Sequence, residues 1–218
     1  LEPEDSLLLA PRLKSPGNLM EYSLGYFHPH ALTSCLAAIL LGVKPGAFVL
    51  DLCASPGGKT SHLAQLMDNT GLIIANELYT RRHIPLSHTL GRLGVLNTVI
   101  TAYPAQEFPL RQQFDFILAD VPCSGEGRFR WSKEFSRHEE KKARPRLSEL
   151  QRRVVLRAFD LLNEHGVMVY ATCTYNPEEN ESVIDFLLSQ RDAEVLPFDF
   201  GLPSEPGLAA WERKVYDR

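Results

Sequence analysis

The chain lacks any apolar run of about 18 residues, the length a membrane-spanning helix needs, so no stretch reads as a membrane span. Cysteine is scarce: four residues, at 35, 53, 123 and 173, and no two at CxxC spacing, which excludes a zinc knuckle or a thioredoxin-type site as a local motif. No metal ligand set is expected. The chain opens Leu1-Glu2-Pro3-Glu4-Asp5, acidic where a secretory signal is basic. Secretion is therefore not expected, and the cysteines are read as reduced thiols. A start at Leu1 rather than Met suggests a trimmed chain. There is no internal repeat and no low-complexity tract.

What is present is an ordinary globular composition. With 44% hydrophobic and 23% charged residues in 218, the chain has too much apolar content for disorder and enough length for one large domain. The net charge of −4 argues against a generic nucleic-acid binder, but the charge is uneven. Residues 128–157 carry eleven Lys/Arg against four Glu, a surplus of +7 that leaves −11 for the remainder. Such a segment is either a phosphate-binding patch, led by Arg128, Arg130 and Lys133, or a solvated helix face.

Apolar segments alternate between strand and helix type. Helices are expected at Ala31–Leu41, closed by Gly42, at 59–67, at 80–93 despite Pro85, at Leu147–Leu162 and at 178–190. Strands are expected at 48–52, 72–76, 97–101, 114–120, 167–171 and 193–198. Residues 121–145 read as a long polar loop. The pattern implies an α/β fold: a doubly wound, mostly parallel sheet of Rossmann-like type, with ligands at the carboxyl ends of the strands. An irregular segment 1–30 precedes a catalytic domain at 31–200 and a tail at 201–218.

Four motifs fall at strand ends. The first, Asp51 to Thr60, is a strand running into a small-residue loop, Cys53-Ala54-Ser55-Pro56-Gly57-Gly58-Lys59, that opens a helix. Its end imitates a Walker A motif, but Cys53 stands where the first glycine belongs, and GxGxxG spacing is absent. The second, Glu77, lies 20 residues after Gly57, where a carboxylate can hold ribose hydroxyls. Together they read as a nucleoside site, and phosphate-free S-adenosylmethionine fits better than NAD. The third is Asp120-Val121-Pro122-Cys123-Ser124-Gly125 and the fourth Thr172-Cys173-Thr174. Adjacent strands thus present two thiols to one cleft. Cys35 and Cys53 are instead read as core fillers.

Residues 25–190 resemble the Nop/Sun family of RNA cytosine-5 methyltransferases. The resemblance rests on the loop at Asp51–Thr60, the DxPCSG run at Asp120–Gly125 and the TC motif at Cys173. Gln151 and Glu178-Glu179-Asn180-Glu181 match as well. It implies a Rossmann-like methyltransferase using S-adenosylmethionine on a cytosine in tRNA or rRNA. Cys173 would attack, Cys123 would assist release, and Asp120 would act near N3 of the base. Lys59 would contact the cofactor carboxylate, and Glu77 and Arg82 would hold its ribose. Pro122 and the basic residues would meet RNA. The chemistry explains two thiols: cytosine C5 is a poor nucleophile until a thiolate adds at C6, and the adduct must later be expelled. The target base must leave its stack to be reached. A monomer is expected, located in the cytoplasm or, in a eukaryote, the nucleus or nucleolus.

Some family features are missing. Pro104 occupies the place of an adenine-binding Asp, and His30 that of a Gln. No terminal strand of the family type follows the last helix. Either Arg213–Tyr216 begins an antiparallel seventh strand between the fifth and sixth, or a gap remains there. Two other readings stay open: a DNA cytosine-5 methyltransferase attacking through Cys123, and a non-catalytic RNA-binding or scaffold relative.

Overall fold

Short runs of apolar residues ending in a polar one become parallel strands, because both sheet faces are covered. In the computed structural model, which describes residues 15–128, 137–199, 201, 204–211, 214 and 215, these are β1 (Phe48–Asp51), β2 (Leu72–Asn76), β3 (Thr98–Thr101), β4 (Phe114–Asp120) and β5 (Leu162–Ala171). They form a five-stranded parallel sheet in the order β3-β2-β1-β4-β5. The order reverses between β1 and β4, so their carboxyl ends flank the switch-point crevice.

The helices are α1 (Met20–Ser23), α2 (Leu32–Leu41), α3 (Gly58–Leu66), α4 (His83–Arg92), α5 (Arg137–Asp160) and α6 (Glu181–Gln190). Successive strand residues face opposite layers. Val49, Ile73 and Leu118 pack with Ala38 and Leu41 of α2 and Leu63 of α3. Leu50, Ile117 and Ala119 pack on the other side with Val154, Ala158 and Leu161, while α6 covers α5 through Val183 and Leu187. Leu161 is fully buried, so Leu161→Ala is expected to cost about 2–5 kcal/mol in denaturant unfolding.

Gly42 ends α2 in the left-handed region, as its position implied. Pro85 is the third residue of α4, inside the first turn, where a missing N–H leaves no helix bond unmade.

Four expectations need correction. Helix α5 starts at Arg137, ten residues before Leu147, so the last part of the expected polar loop, 137–145, is helical. Residues 139–144 are mostly strong helix formers but carry no apolar stripe, the signal periodicity follows, and Pro145 reads as a helix breaker between them and Leu147. Strand β5 begins at Leu162, the expected last residue of the preceding helix, rather than at Val167. There the register against β4 shifts between Phe114 and Phe116, with His165 at φ 64°. Residues 193–198 form no strand. Val195, Leu196 and Phe198 are exposed, Pro197 withholds an N–H, and no described strand stands beside β5 to pair with them. The last is the alternative that Arg213–Tyr216 begins a seventh strand of the main sheet: β7 (Lys214–Val215) instead pairs antiparallel with β6 (Ala210–Trp211) in a separate sheet. Arg213 and Tyr216 lie outside the described residues. No helix among the described residues is long and apolar enough to cross a membrane.

Candidate active site

The loop after β1 turns sharply into α3. Gly57, the residue before that helix, has φ 100°, which only glycine adopts without strain, and an added Cβ would press on Leu86 at 3.0 Å. The loop forms one wall of a cleft of about 250 Å³ lined by Cys53 to Pro56, Gly58, Lys59 and Asp120, with Asp51 at its base and His28 and His30 opposite. The N-terminus of α3 opens onto it, which favours an anionic group. Cys53 packs against the core, and burial pushes its thiol well up from the ordinary range, so it is inert as a nucleophile although it lines the cleft. Cys35 on α2 is half-buried, and burial raises its thiol too.

Glu77 directly follows β2, buried, with Oε2 3.0 Å from Arg82 Nη1 and Oε1 accepting the Tyr79 N–H at 2.9 Å. It does not line the cleft directly. Arg82 ties it to the loop, donating from Nη2 to the Ser55 carbonyl at 2.9 Å, while Ser55 Oγ donates to the Arg82 carbonyl at 3.1 Å. Pro104 leaves that stretch without an acid. The β3 exit is held by Asn76, whose Oδ1 accepts the Tyr103 N–H and whose Nδ2 donates to the Tyr103 carbonyl, both at 2.9 Å.

Lys59 lies 2.7 Å from Asp120 Oδ2 across the cleft, so its ammonium serves the carboxylate at the end of β4 rather than a thiol. Asp51, which the sequence reading quoted in the loop motif without assigning it to the site, is fully buried. Burial above all, with help from the Asp120 charge, pushes its carboxyl up to about 7, against the pull of Thr60 Oγ1, which donates to it at 2.7 Å. His30 was noted only as a replacement. Burial, then its neighbours His28, His62 and Lys59, lowers it to about 4, so it is neutral.

The two thiols meet. Cys123 Sγ and Cys173 Sγ are 3.0 Å apart, and the Cys173 N–H donates to Cys123 Sγ at 3.1 Å. The thiol–thiol hydrogen bond first, and burial second, push the Cys123 thiol far up, so it keeps its proton. Cys173 is exposed, whereas Cys123 is half-buried. Gly127 donates its N–H to the Cys173 carbonyl at 2.8 Å, and an added Cβ there would sit 3.0 Å from that oxygen. The Pro122 carbonyl accepts from Gln151 Nε2 at 2.9 Å. Of the basic residues, Arg130 and Lys133 lie outside the described residues, and only the backbone of Arg128, ending a 3-10 turn at Glu126–Arg128, is described. Sequence reasoning did not assign Glu179 a role. It is completely buried between the two cysteine loops, and only its place after the TC motif marked it.

Fold and site together define a Rossmann-like methyltransferase. The 16S rRNA methyltransferase RsmB/F family matches residues 38–211, and the chain belongs to it. It is 38% identical over 201 residues to a tRNA (cytosine(49)-C(5))-methyltransferase of Pyrococcus abyssi, covering 92% of this chain and 65% of the relative. It is 38% identical over 192 residues to the 28S rRNA (cytosine(4447)-C(5))-methyltransferase of Homo sapiens, covering 85% of this chain and 24% of that one. The structure of NSun6 from Pyrococcus horikoshii with SFG, an S-adenosylmethionine analogue, superposes with a TM-score of 0.74 at 32% identity, over 87% of this chain and 50% of that one. The chain thus spans less than two thirds of the length of these relatives.

Proposed function

We propose that this chain transfers a methyl group from S-adenosylmethionine to carbon 5 of a cytosine in tRNA or rRNA, through a covalent bond between Cys173 and carbon 6 of the base. The observation that carries the reading is the pair of thiols 3.0 Å apart at the ends of adjacent strands, beside the Lys59–Asp120 ion pair. A reaction that both makes and expels a sulfur adduct has use for two such groups.

Exposure ranks the thiols: Cys173 is the exposed one and Cys123 is half-buried. Cys173 Sγ therefore adds to carbon 6. Asp120 shares a proton at N3 and so stabilises the added state, while Lys59 keeps the carboxylate in place. After transfer, Cys123 must first release its own proton to solvent; as the thiolate it is positioned to take the proton from carbon 5 while the bond between carbon 6 and Cys173 Sγ breaks and Cys173 leaves as a thiolate. Pro122 walls the base site, and Arg128, Arg130 and Lys133 are the candidates for phosphate contacts.

The residues fit S-adenosylmethionine, which when bound supplies an electrophilic methyl group. The α3 N-terminus suits its carboxylate, and small residues from Cys53 to Gly58 leave room for a chain. Glu77, braced by Arg82, suits the ribose hydroxyls. A zwitterion without phosphate matches a loop with a buried acid, Asp51, at its base. The test is to incubate the purified chain with S-adenosylmethionine and tRNA or rRNA transcripts and measure 5-methylcytosine by nucleoside mass spectrometry. Methylation at a discrete cytosine supports the proposal. RNA binding with neither S-adenosylmethionine binding nor methylation favours the scaffold reading.

A further inference from the structure

Two loops leaving neighbouring parallel strands have no inherent reason to keep their side chains in contact. Strand spacing is about 4.8 Å, and each loop is free to lean away. Here the thiols stand at 3.0 Å. What fixes that distance is a buried group behind them.

Glu179 has no solvent exposure. A carboxylate in that position is costly unless every oxygen is satisfied. Its Oε2 accepts the N–H of Ser124, the residue after Cys123, at 3.0 Å, and Gln151 Nε2 at 3.0 Å. Its Oε1 accepts Asn176 Nδ2, three residues beyond Cys173, at 3.0 Å. Gln151 in turn donates to the Pro122 carbonyl at 2.9 Å, so the residues on both sides of Cys123 are held. The Glu179 carbonyl accepts from the Tyr170 hydroxyl at 2.7 Å, which anchors the residue to β5. A second strut joins Ser124 Oγ to Thr174 Oγ1 at 2.8 Å.

We infer that Glu179 is a positioning residue: its buried carboxylate clamps the Cys123 loop to the Cys173 loop and sets the spacing of the two thiols. Its carboxylate bonds Ser124, Gln151 and Asn176, and it does not line the cleft. The acid is needed rather than the amide, because all three donors facing it are N–H groups and a glutamine would turn a donor toward one of them. Asn176 cannot flip to accommodate that donor without losing the bond its Oδ1 accepts from the Glu178 N–H at 3.2 Å. An aspartate at 176 accepts on both oxygens and restores the match. The catalytic meaning of the clamp rests on the two-thiol reaction proposed above, but the spacing itself is measurable without RNA or cofactor.

The probe is phenylarsine oxide, which condenses with two neighbouring thiols and releases one water. Its capture by the purified chain is compared with alkylation of Cys173 by iodoacetamide, which needs one thiol only. Glu179→Gln is expected to slow arsenical capture by about tenfold or more, the scale for a small misplacement of paired groups, and to leave iodoacetamide alkylation unchanged. The pair Asn176→Asp with Glu179→Gln is expected to recover capture. Unchanged capture in Glu179→Gln overturns the inference. So does a parallel loss of capture and alkylation, since that is general disruption of the loops. If Glu179→Gln alone does not fold, the double variant decides: wild-type capture supports the clamp, and lost capture or failure to fold overturns it. Failure of the RNA methylation assay leaves these outcomes untouched, so the two readings fail separately.

Discussion

Lys59 Nζ lies 2.7 Å from Asp120 Oδ2, and this one bond joins the loop after β1 to the end of β4 across the switch-point cleft. Both side chains keep partial exposure, 21% and 31%, so the pair is a hinge for chemistry more than a source of stability. Asp120→Asn keeps the shape and removes the shared proton. It is expected to slow formation of the RNA adduct about 10²–10⁴-fold, the range for a general acid or base, with the melting temperature nearly unchanged. Adduct formation at the wild-type rate would remove Asp120 from the proposed mechanism.

Glu77 supplies a second check. Its carboxylate is braced by Arg82 and the Tyr79 N–H, leaving lone pairs for ribose hydroxyls. Glu77→Ala is expected to weaken S-adenosylmethionine binding by about 1–3 kcal/mol, the scale for hydrogen bonds to a charged group. Calorimetry reads this directly, and an unaltered affinity would sink the assignment.

His30 gives a pH dependence with a definite sign. Burial holds it at about 4 in the native chain, below its ordinary 6.5. The unfolded chain therefore takes up a proton in that window and the native chain does not. The contribution of His30 to stability is complete above the unfolded value and is lost as pH falls toward 4. His28 and His62 shift the same way, also through burial. His30→Gln is expected to lose less melting temperature than wild type between about pH 7 and pH 5. An equal loss would mean that His30 does not stay neutral in the fold.

If Arg128, Arg130 and Lys133 meet phosphates, RNA affinity falls steeply with salt. Neutralising all three should flatten the slope of log K against log salt by about 2, at roughly 0.7 per contact on single strands. A slope identical to wild type returns this segment to a solvated face.

Much of the site was legible because the chemistry-bearing residues sit where apolar runs stop: Glu77, Asp120 and Cys173 each stand at or just past the end of a strand. Spacing alone did not reveal that Glu179 and Gln151, 28 residues apart, share a hydrogen bond beneath both thiols, since such partners follow no period. Position alone did not rank Cys123 and Cys173, both at strand ends facing one cleft; only the family resemblance ranked them, because which thiol is exposed is not a property of spacing. The first turns of α5 lacked the apolar stripe that marks helices. Residues 193–198 had the composition of a strand without a neighbour to pair with, and strand propensity means little without one.

The two thiols carry the central claim, and a denaturing gel tests it. Labelled RNA and S-adenosylmethionine are incubated with Cys173→Ala and with Cys123→Ala. If Cys173 attacks, Cys173→Ala yields neither product nor adduct, because carbon 6 is never engaged. Cys123→Ala allows attack and transfer but slows expulsion, so a protein–RNA species accumulates and survives denaturing electrophoresis. The reverse pattern, adduct in Cys173→Ala and none in Cys123→Ala, would contradict the assignment and favour attack by Cys123, and no adduct in either variant would contradict covalent catalysis by this chain.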